Sequence, residues 1–144
     1  MFVRGWAKSG YAALLLLFFP LGCESGGPAL APVHGNVFFK GAPLNTGTIV
    51  FTPDDVRGTR GHMARAEIEL DGTYVLRTEG QSGALIGWHR VTVMAIAAPS
   101  RRAFQESNAL PRSLIPNKYR DPEMSGLTCQ IKANQDNVVD FHLE

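Results

Sequence analysis

One stretch decides the fold class: Ala64-Arg-Ala-Glu-Ile-Glu-Leu-Asp-Gly-Thr-Tyr-Val-Leu-Arg-Thr78. Apolar and charged side chains alternate strictly up to Leu70, and Asp71-Gly72 and a second run rich in strand-forming residues follow. This pattern predicts an antiparallel β-hairpin, because glycine tolerates the positive φ that a tight turn demands. The predicted inward positions are Ala64, Ala66, Ile68 and Leu70 before the turn and Tyr74 and Leu76 after it.

The same two-residue period recurs over most of the chain. Strand-like runs cover residues 33–40, 46–52, 64–70, 73–78, 88–97, 127–131 and 139–143. A length of 144 residues suits one domain, and a hydrophobic content of 44% can form its core. Seven short strands joined by turn-rich segments predict an all-β fold, a seven-stranded antiparallel β-sandwich.

The N-terminus has the features of an export signal. Arg4 and Lys8 form a basic start, and residues 11–21 are an apolar run. The run is about half as long as a comfortable membrane span, which favours a signal peptide over the alternative, a retained membrane helix. The predicted organisation is a signal peptide at residues 1–22, a flexible Gly- and Pro-rich tether at residues 23–32, and the sandwich domain at residues 33–144.

Cys23 follows the apolar run and a small residue, Gly22. This arrangement resembles the lipobox of bacterial lipoproteins, in which the thiol carries a diacylglycerol and becomes the new N-terminus, although Pro20 and Leu21 depart from its usual order. The resemblance implies lipid attachment at Cys23 and a protein exported to the cell envelope, held to a membrane on the periplasmic or outer side. A disulfide with Cys129 and an unmodified thiol are the alternatives.

The charge balance gives no reason to expect a nucleic-acid partner. Two of the 14 basic residues, Arg4 and Lys8, lie in the predicted signal peptide. The remaining chain has 12 basic and 13 acidic residues, a formal net charge of −1. Proteins that bind nucleic acid through phosphates normally carry a marked positive charge.

Several motifs together resemble one family. They are Val33-His-Gly-Asn-Val37 with Lys40-Gly-Ala-Pro-Leu44, Thr46-Gly-Thr-Ile-Val-Phe-Thr-Pro53, Asp71-Gly-Thr-Tyr74, Gly87-Trp-His-Arg-Val-Thr-Val93, Ile115-Pro-Asn-Lys-Tyr-Arg-Asp-Pro122 and Ser125-Gly-Leu-Thr128. They resemble the small secreted lipoproteins of planctomycete type, which have a transthyretin-like, carboxypeptidase regulatory-like sandwich. The resemblance implies a transthyretin-like or immunoglobulin-like arrangement of the strands and a place in the cell envelope, and it implies no enzymatic activity.

The residues suited to catalysis or metal binding are scattered. The four histidines, His34, His62, His89 and His142, have no metal-ligand spacing, and no Ser lies in a nucleophile elbow. His89 and Cys129 alternate with apolar residues, which predicts burial rather than reactivity. Asp54-Asp55 is a weak calcium signal because a third ligand position is missing. We therefore predict no catalytic residues, no metal and no cofactor.

Hydroxyisourate hydrolases share the transthyretin-like sandwich and provide a remote enzymatic alternative, a small hydrolase. That family has a C-terminal Tyr-Arg-Gly-Ser, whereas this chain has Tyr119-Arg-Asp-Pro122 well before Glu144. A shared fold does not by itself establish an activity.

Residues 98–125 form the one long segment without a strand period, apart from a short helix considered at residues 103–107. A candidate binding surface in this segment comprises Arg101, Arg102, Lys118, Tyr119 and Arg120. Loops held on rigid sheets often bind partners. The alternative is that Tyr119 clamps the loop over a sheet edge and protects that edge.

These observations predict a lipid-anchored, non-catalytic β-sandwich module of the cell envelope with a structural or protein-interaction role. The alternative function is a carbohydrate- or peptide-binding envelope module that uses the loop at residues 98–125. The expected partners are a membrane, through the N-terminal lipid, and an envelope protein or polysaccharide.

Overall fold

The computed structural model describes residues 28–97 and 111–144, and these residues form an all-β fold with two 3₁₀ helices. The strands are β1 (Leu30–Ala31), β2 (Val33–Phe39), β3 (Ala42–Pro43), β4 (Thr48–Pro53), β5 (Ala64–Glu67), β6 (Thr73–Val75), β7 (Arg77–Thr78), β8 (Gln81–Ser82), β9 (Ala84–Leu85), β10 (Gly87–Met94), β11 (Leu127–Ile131), β12 (Asn137–Val138) and β13 (Phe141–Leu143). The 3₁₀ helices are Asp55–Arg57 and Asn117–Arg120.

Two larger sheets and a short ribbon organise these strands. The first sheet has six strands in the order β11-β10-β4-β5-β7-β8, all antiparallel. The second sheet has five strands around β2, and β1 pairs with β9 in the ribbon. The expected all-β fold with antiparallel sheets is confirmed.

The second sheet differs from the predicted arrangement. On one side β2 pairs antiparallel with β6 and β3, and on the other it pairs parallel with β12 and β13. The prediction of seven strands, all antiparallel, is therefore not confirmed: the described residues form thirteen shorter strands, two of which run parallel to β2. Parallel pairing brings the last strands of the chain beside its first long strand.

The predicted hairpin forms its turn, but its two arms separate into different sheets. The N–H of Gly72 donates to the carbonyl of Glu69, and the N–H of Glu69 donates to the carbonyl of Thr73, both at 2.9 Å. Beyond this closure β5 pairs with β4 in the first sheet, whereas β6 pairs with β2 in the second. The chain returns to β5 only at β7, where Arg77 lies opposite Arg65. The prediction of a continuous hairpin ladder is therefore wrong. Residues 64–78 instead form a corner between the two larger sheets.

The inner faces of both larger sheets contribute to one hydrophobic cluster. The first sheet supplies Ile49, Phe51 and Val91, and the second supplies Tyr74 and Phe141. The ring of Phe51 lies 6.1 Å from that of Tyr74 and 5.9 Å from that of Phe141, between ring centroids. Such contacts between facing sheets give a sandwich-like interior, and each fully buried side chain of this size contributes about 1.5–3 kcal/mol of transfer free energy.

Most of the predicted inward positions are buried, and one is not. Ala64, Ala66, Ile68, Tyr74 and Leu76 all belong to the core cluster. Leu70 was expected inside but is 85% exposed. It lies in the turn closed by Glu69 and Thr73, after β5 has ended, and the strand alternation no longer sets its direction.

Short elements occupy segments expected to be irregular. The 3₁₀ helix Asp55–Arg57 lies between the strand-like runs 46–52 and 64–70, β8 and β9 lie between the runs 73–78 and 88–97, and β1 lies within the predicted tether. Ile96, near the end of the strand-like run 88–97, forms an isolated bridge with Ser113 of the long segment. The helix considered at residues 103–107 lies outside the described residues.

Candidate functional site

A groove lies on the outer side of the split hairpin. It has a volume of about 1060 Å³, at the upper end of the range for ligand-binding pockets. Its lining residues come from the segment before β5, from β5, β6 and β7, and from the turn after β7; they are Gly61, His62, Met63, Arg65, Ala66, Glu67, Glu69, Thr73, Tyr74, Val75, Arg77, Glu79 and Gly80. Of the lining strands, β5 and β7 pair in the first sheet and β6 belongs to the second, so the groove lies where the chain passes from one sheet to the other and back.

Two arginines lie side by side in this groove. Arg65 on β5 and Arg77 on β7 are directly opposite in an antiparallel pair, and both are exposed. Side chains in such a pair have their Cβ atoms about 4.5–5.5 Å apart, so two like charges there repel each other. Among residues 28–97 and 111–144, no carboxylate oxygen lies within 4.0 Å of either guanidinium. The pair can therefore accept an anion from solution.

Acidic side chains continue the same exposed face. Glu67 and Glu69 follow Arg65 at two-residue steps, and both carboxylate oxygens of Glu67 lie 3.2 Å from the hydroxyl of Thr48. Glu79 lies near the groove end, where its carboxylate is 3.3 Å from Nδ1 of His62. All five of these groove residues are exposed, and the groove therefore presents a positive part and a negative part to solvent.

The candidate surface of the long loop is divided in the structure. Tyr119 is only 4% exposed, and its hydroxyl accepts a hydrogen bond from the N–H of Glu144 at 2.9 Å. Lys118 and Arg120, on either side of it, are exposed, and Nζ of Lys118 lies 4.8 Å from the centroid of the Tyr119 ring. Arg101 and Arg102 lie outside the described residues. Tyr119 thus anchors the loop to the core, and only the two basic side chains face solvent.

Asp54, considered above as a calcium ligand, already has two arginine partners. Its carboxylate is 3% exposed and lies 3.5 Å from Nε of Arg57 and 3.4 Å from Nε of Arg90. It also accepts a hydrogen bond from the N–H of Arg57 and caps the first 3₁₀ helix. The guanidinium of Arg57 lies 4.6 Å from the centroid of the half-buried Trp88 ring, and therefore covers part of the aromatic surface.

The other polar groups that could react are inside the sandwich. His89 is 1% exposed; its Nδ1 lies 3.2 Å from the carbonyl of Gly87, and its Nε2 has no hydrogen-bond partner in the described part of the chain. Burial lowers the pKa of His89, and the Gly87 carbonyl opposes this effect. Cys129 lies opposite His89 in the adjacent strand, and burial raises the pKa of its thiol to about 12.

Tyr74 has a similar interior position. Its hydroxyl donates a hydrogen bond of 2.6 Å to the carbonyl of Val139, and burial raises its pKa well above the usual range. At neutral pH these three groups are uncharged: a neutral imidazole, a protonated thiol and a protonated phenol. This protonation pattern suits packing, since a buried charge without a partner is costly.

Two other properties concern the described residues alone. No group of three or more His, Cys, Asp or Glu side chains among them could hold a metal ion. No helix within residues 28–97 and 111–144 is long and apolar enough to cross a membrane. The predicted signal peptide and the predicted lipid-attachment residue, Cys23, lie outside these ranges.

The sequence contained a signal for the groove that pattern analysis did not use. Arg65, Glu67 and Glu69 were interpreted as a solvent face, because charges at alternate positions normally are. The same alternation continues across the turn with Arg77 and Glu79. In a hairpin these charges share one face, so the opposition of two arginines could have been recognised.

Comparison with protein-family models, with curated proteins and with solved structures finds no match for this chain.

Proposed function

We propose that this protein is a lipid-anchored, non-catalytic module of the cell envelope, with a transthyretin-like sandwich that binds a partner. The lipobox-like end of the apolar N-terminal run supports the anchor, through Cys23. The face-to-face packing around Phe51 supports the sandwich. The family resemblance of the sequence motifs supports the envelope location.

The binding role is carried by one observation, the groove at the split hairpin. Three of its exposed charges, Arg65, Glu67 and Arg77, are held on strands rather than on long loops, so binding to them orders little backbone. By contrast, His89 is buried and Cys129 is partly buried against the core, and both are held in their uncharged forms. The chemistry available to a partner is therefore charge recognition on a fixed surface.

The anchor is tested by following labelled palmitate and membrane fractionation in cells that express the full chain. Cys23→Ala should abolish label uptake and release the protein from membranes, and Cys129→Ala should change neither. Label on the Cys23→Ala variant, or none on the wild type, would refute the lipid anchor.

The binding role is tested separately by cross-linking in the native envelope, comparing the wild type with an Arg65→Gln/Arg77→Gln variant.

A second candidate function is a carbohydrate- or peptide-binding module that uses the loop at residues 98–125. It is favoured by the anchoring of Tyr119, which holds the exposed Lys118 and Arg120 at a fixed place. A Lys118→Gln/Arg120→Gln variant removes both charges and leaves the buried ring. If this variant loses the cross-linked partner and the groove variant keeps it, the loop is the binding surface.

A further inference from the structure

We propose that the groove binds a peptide segment that carries an acidic and a basic group, with its carboxylate between Arg65 and Arg77 and its ammonium group on Glu67 or Glu69. This inference rests on the proposed binding function and assigns its ligand class. Its starting point is the exposed arginine pair on neighbouring strands, for which the described residues supply no carboxylate.

A carboxylate is the anion that this pair fits best. Guanidinium groups bind carboxylates through two parallel hydrogen bonds, and a ligand held by both arginines relieves their mutual repulsion. A polyanion is less suitable, because Glu67, Glu69 and Glu79 line the same groove and would repel additional negative charge. The positive subsite is therefore local, with room for one carboxylate.

The neighbouring acids require a positive group on the same ligand. Arg65, Glu67 and Glu69 follow one another at alternate positions, and the rise along a strand places Arg65 and Glu67 about 6.6 Å apart. An extended peptide has the same repeat, so Glu-x-Lys presents opposite charges to Arg65 and Glu67, and a second Lys two residues further on extends towards the exposed Glu69 beyond the end of β5. The groove also has the volume for more than a single residue, at about 1060 Å³.

The lining favours a peptide over an acidic polysaccharide. Tyr74 is the one Phe, Tyr or Trp residue in the groove lining, and it is 1% exposed with its hydroxyl directed to the Val139 carbonyl. Apart from the His62 imidazole, which lies beside the Glu79 carboxylate, the groove therefore offers a sugar ring no exposed aromatic face for stacking. It offers charges in an order that a peptide can match with alternate side chains.

The test uses the full chain in detergent and fluorescence anisotropy of labelled Glu-Ser-Lys-Ser-Lys. The control peptide, Ser-Lys-Glu-Lys-Ser, has the same composition and charge but places both lysines one residue from the acid, on the opposite face of an extended peptide, so that it matches the groove in no register and in neither chain direction. We expect the first peptide to bind at least about 10-fold more tightly, because each misplaced charge loses a charge-assisted hydrogen bond. Equal binding of the two peptides would overturn the proposal.

Variants then locate the site. Arg65→Gln/Arg77→Gln should weaken binding of the matched peptide by about 10-fold or more, while Lys118→Gln/Arg120→Gln should leave it unchanged. Circular dichroism and urea unfolding establish that both variants are folded. Loss of binding only in the loop variant would overturn the assignment to the groove, and tighter binding of an oligogalacturonate than of the peptide would overturn the ligand class. Failure of palmitate labelling would refute the lipid anchor and leave this proposal standing.

Discussion

Replacing Gly72 with alanine tests whether the turn of the split hairpin is fixed against the second sheet. Gly72 has φ of +87°, and an added Cβ would lie 2.9 Å from Cβ of Pro43 and 3.1 Å from the carbonyl oxygen of Val37. The Gly72 carbonyl also accepts a hydrogen bond of 2.9 Å from the N–H of Val37. The turn therefore cannot move away from β2 without stretching this bond. Alanine meets two costs here, an unfavourable backbone conformation and a steric contact.

Gly58 provides a matched control for the first cost. It has the same φ, +87°, and nothing lies within 4 Å of an added Cβ. The left-handed conformation costs an L-residue about 1–2 kcal/mol, which is the loss of stability expected for Gly58→Ala. Crowding in a packed region adds about 1–3 kcal/mol. Gly72→Ala should therefore lower the free energy of unfolding by about 2–5 kcal/mol.

The assay is equilibrium unfolding of the wild type and both variants in urea, monitored by far-UV circular dichroism. The slope of free energy against urea should be the same for all three proteins, so that the midpoints report stability alone. The difference in the free energy of unfolding between the two variants isolates the cost of the steric contact with Pro43 and Val37. If Gly72→Ala and Gly58→Ala are equally stable within about 0.5 kcal/mol, the turn is not packed against β2 as described.

Three further predictions concern the interior polar groups. Tyr74→Phe should lower the free energy of unfolding by about 1–2 kcal/mol, because the Val139 carbonyl loses a donor at 2.6 Å; unchanged stability in urea would show that water or another group replaces it. Burial lowers the pKa of His89 in the folded protein. As the pH falls below about 6.5, the imidazole is therefore protonated in the unfolded state before it is protonated in the folded state. This difference should lower the free energy of unfolding by up to about 1.4 kcal/mol per pH unit. His89→Phe should remove that component, and urea midpoints that fall in parallel for both proteins between pH 7.5 and pH 5 would exclude the effect. Burial raises the pKa of the Cys129 thiol to about 12, so little of it is the reactive thiolate at pH 8. Iodoacetamide should therefore alkylate Cys129 on the order of 10³ times more slowly in the folded chain than in urea. The rate is measured by mass spectrometry of the peptide that contains Cys129.

The strand period predicted which residues are inside but not which strands pair. Ile68, Val91 and Phe141 are apolar residues of three different predicted strands, and all three belong to the core cluster. Alternation is a local property, since it depends only on the pleat of each strand. Pairing is a long-range property: β6 lies beside β2, about 40 residues earlier in the chain, and not beside its predicted neighbour β5. The sequence of the turn is compatible with either arrangement.

The failure at Leu70 has the same origin. Asp71 accepts hydrogen bonds from the N–H and the hydroxyl of Thr73, at 3.0 and 2.7 Å, and these bonds lower the pKa of its carboxyl. Together with the Glu69–Thr73 closure, they start the turn one residue before the apolar alternation ends. Leu70 is apolar, but the turn sets its direction, and a short Asx turn therefore overrides the period.

The candidate site was harder to predict than the core for a related physical reason. A buried position is identified by its own residue type, whereas the groove depends on the relative placement of β5, β6 and β7. Ile68 and Tyr74 both lie in the core cluster, although β5 and β6 pair in different sheets. That separation leaves a concave outer face between the strands, where Arg65 and Arg77 meet. The corner lets the two sheets share a core and places β6 beside β2, so that Arg65 and Arg77 form the one residue pair that joins β5 to β7 at the groove.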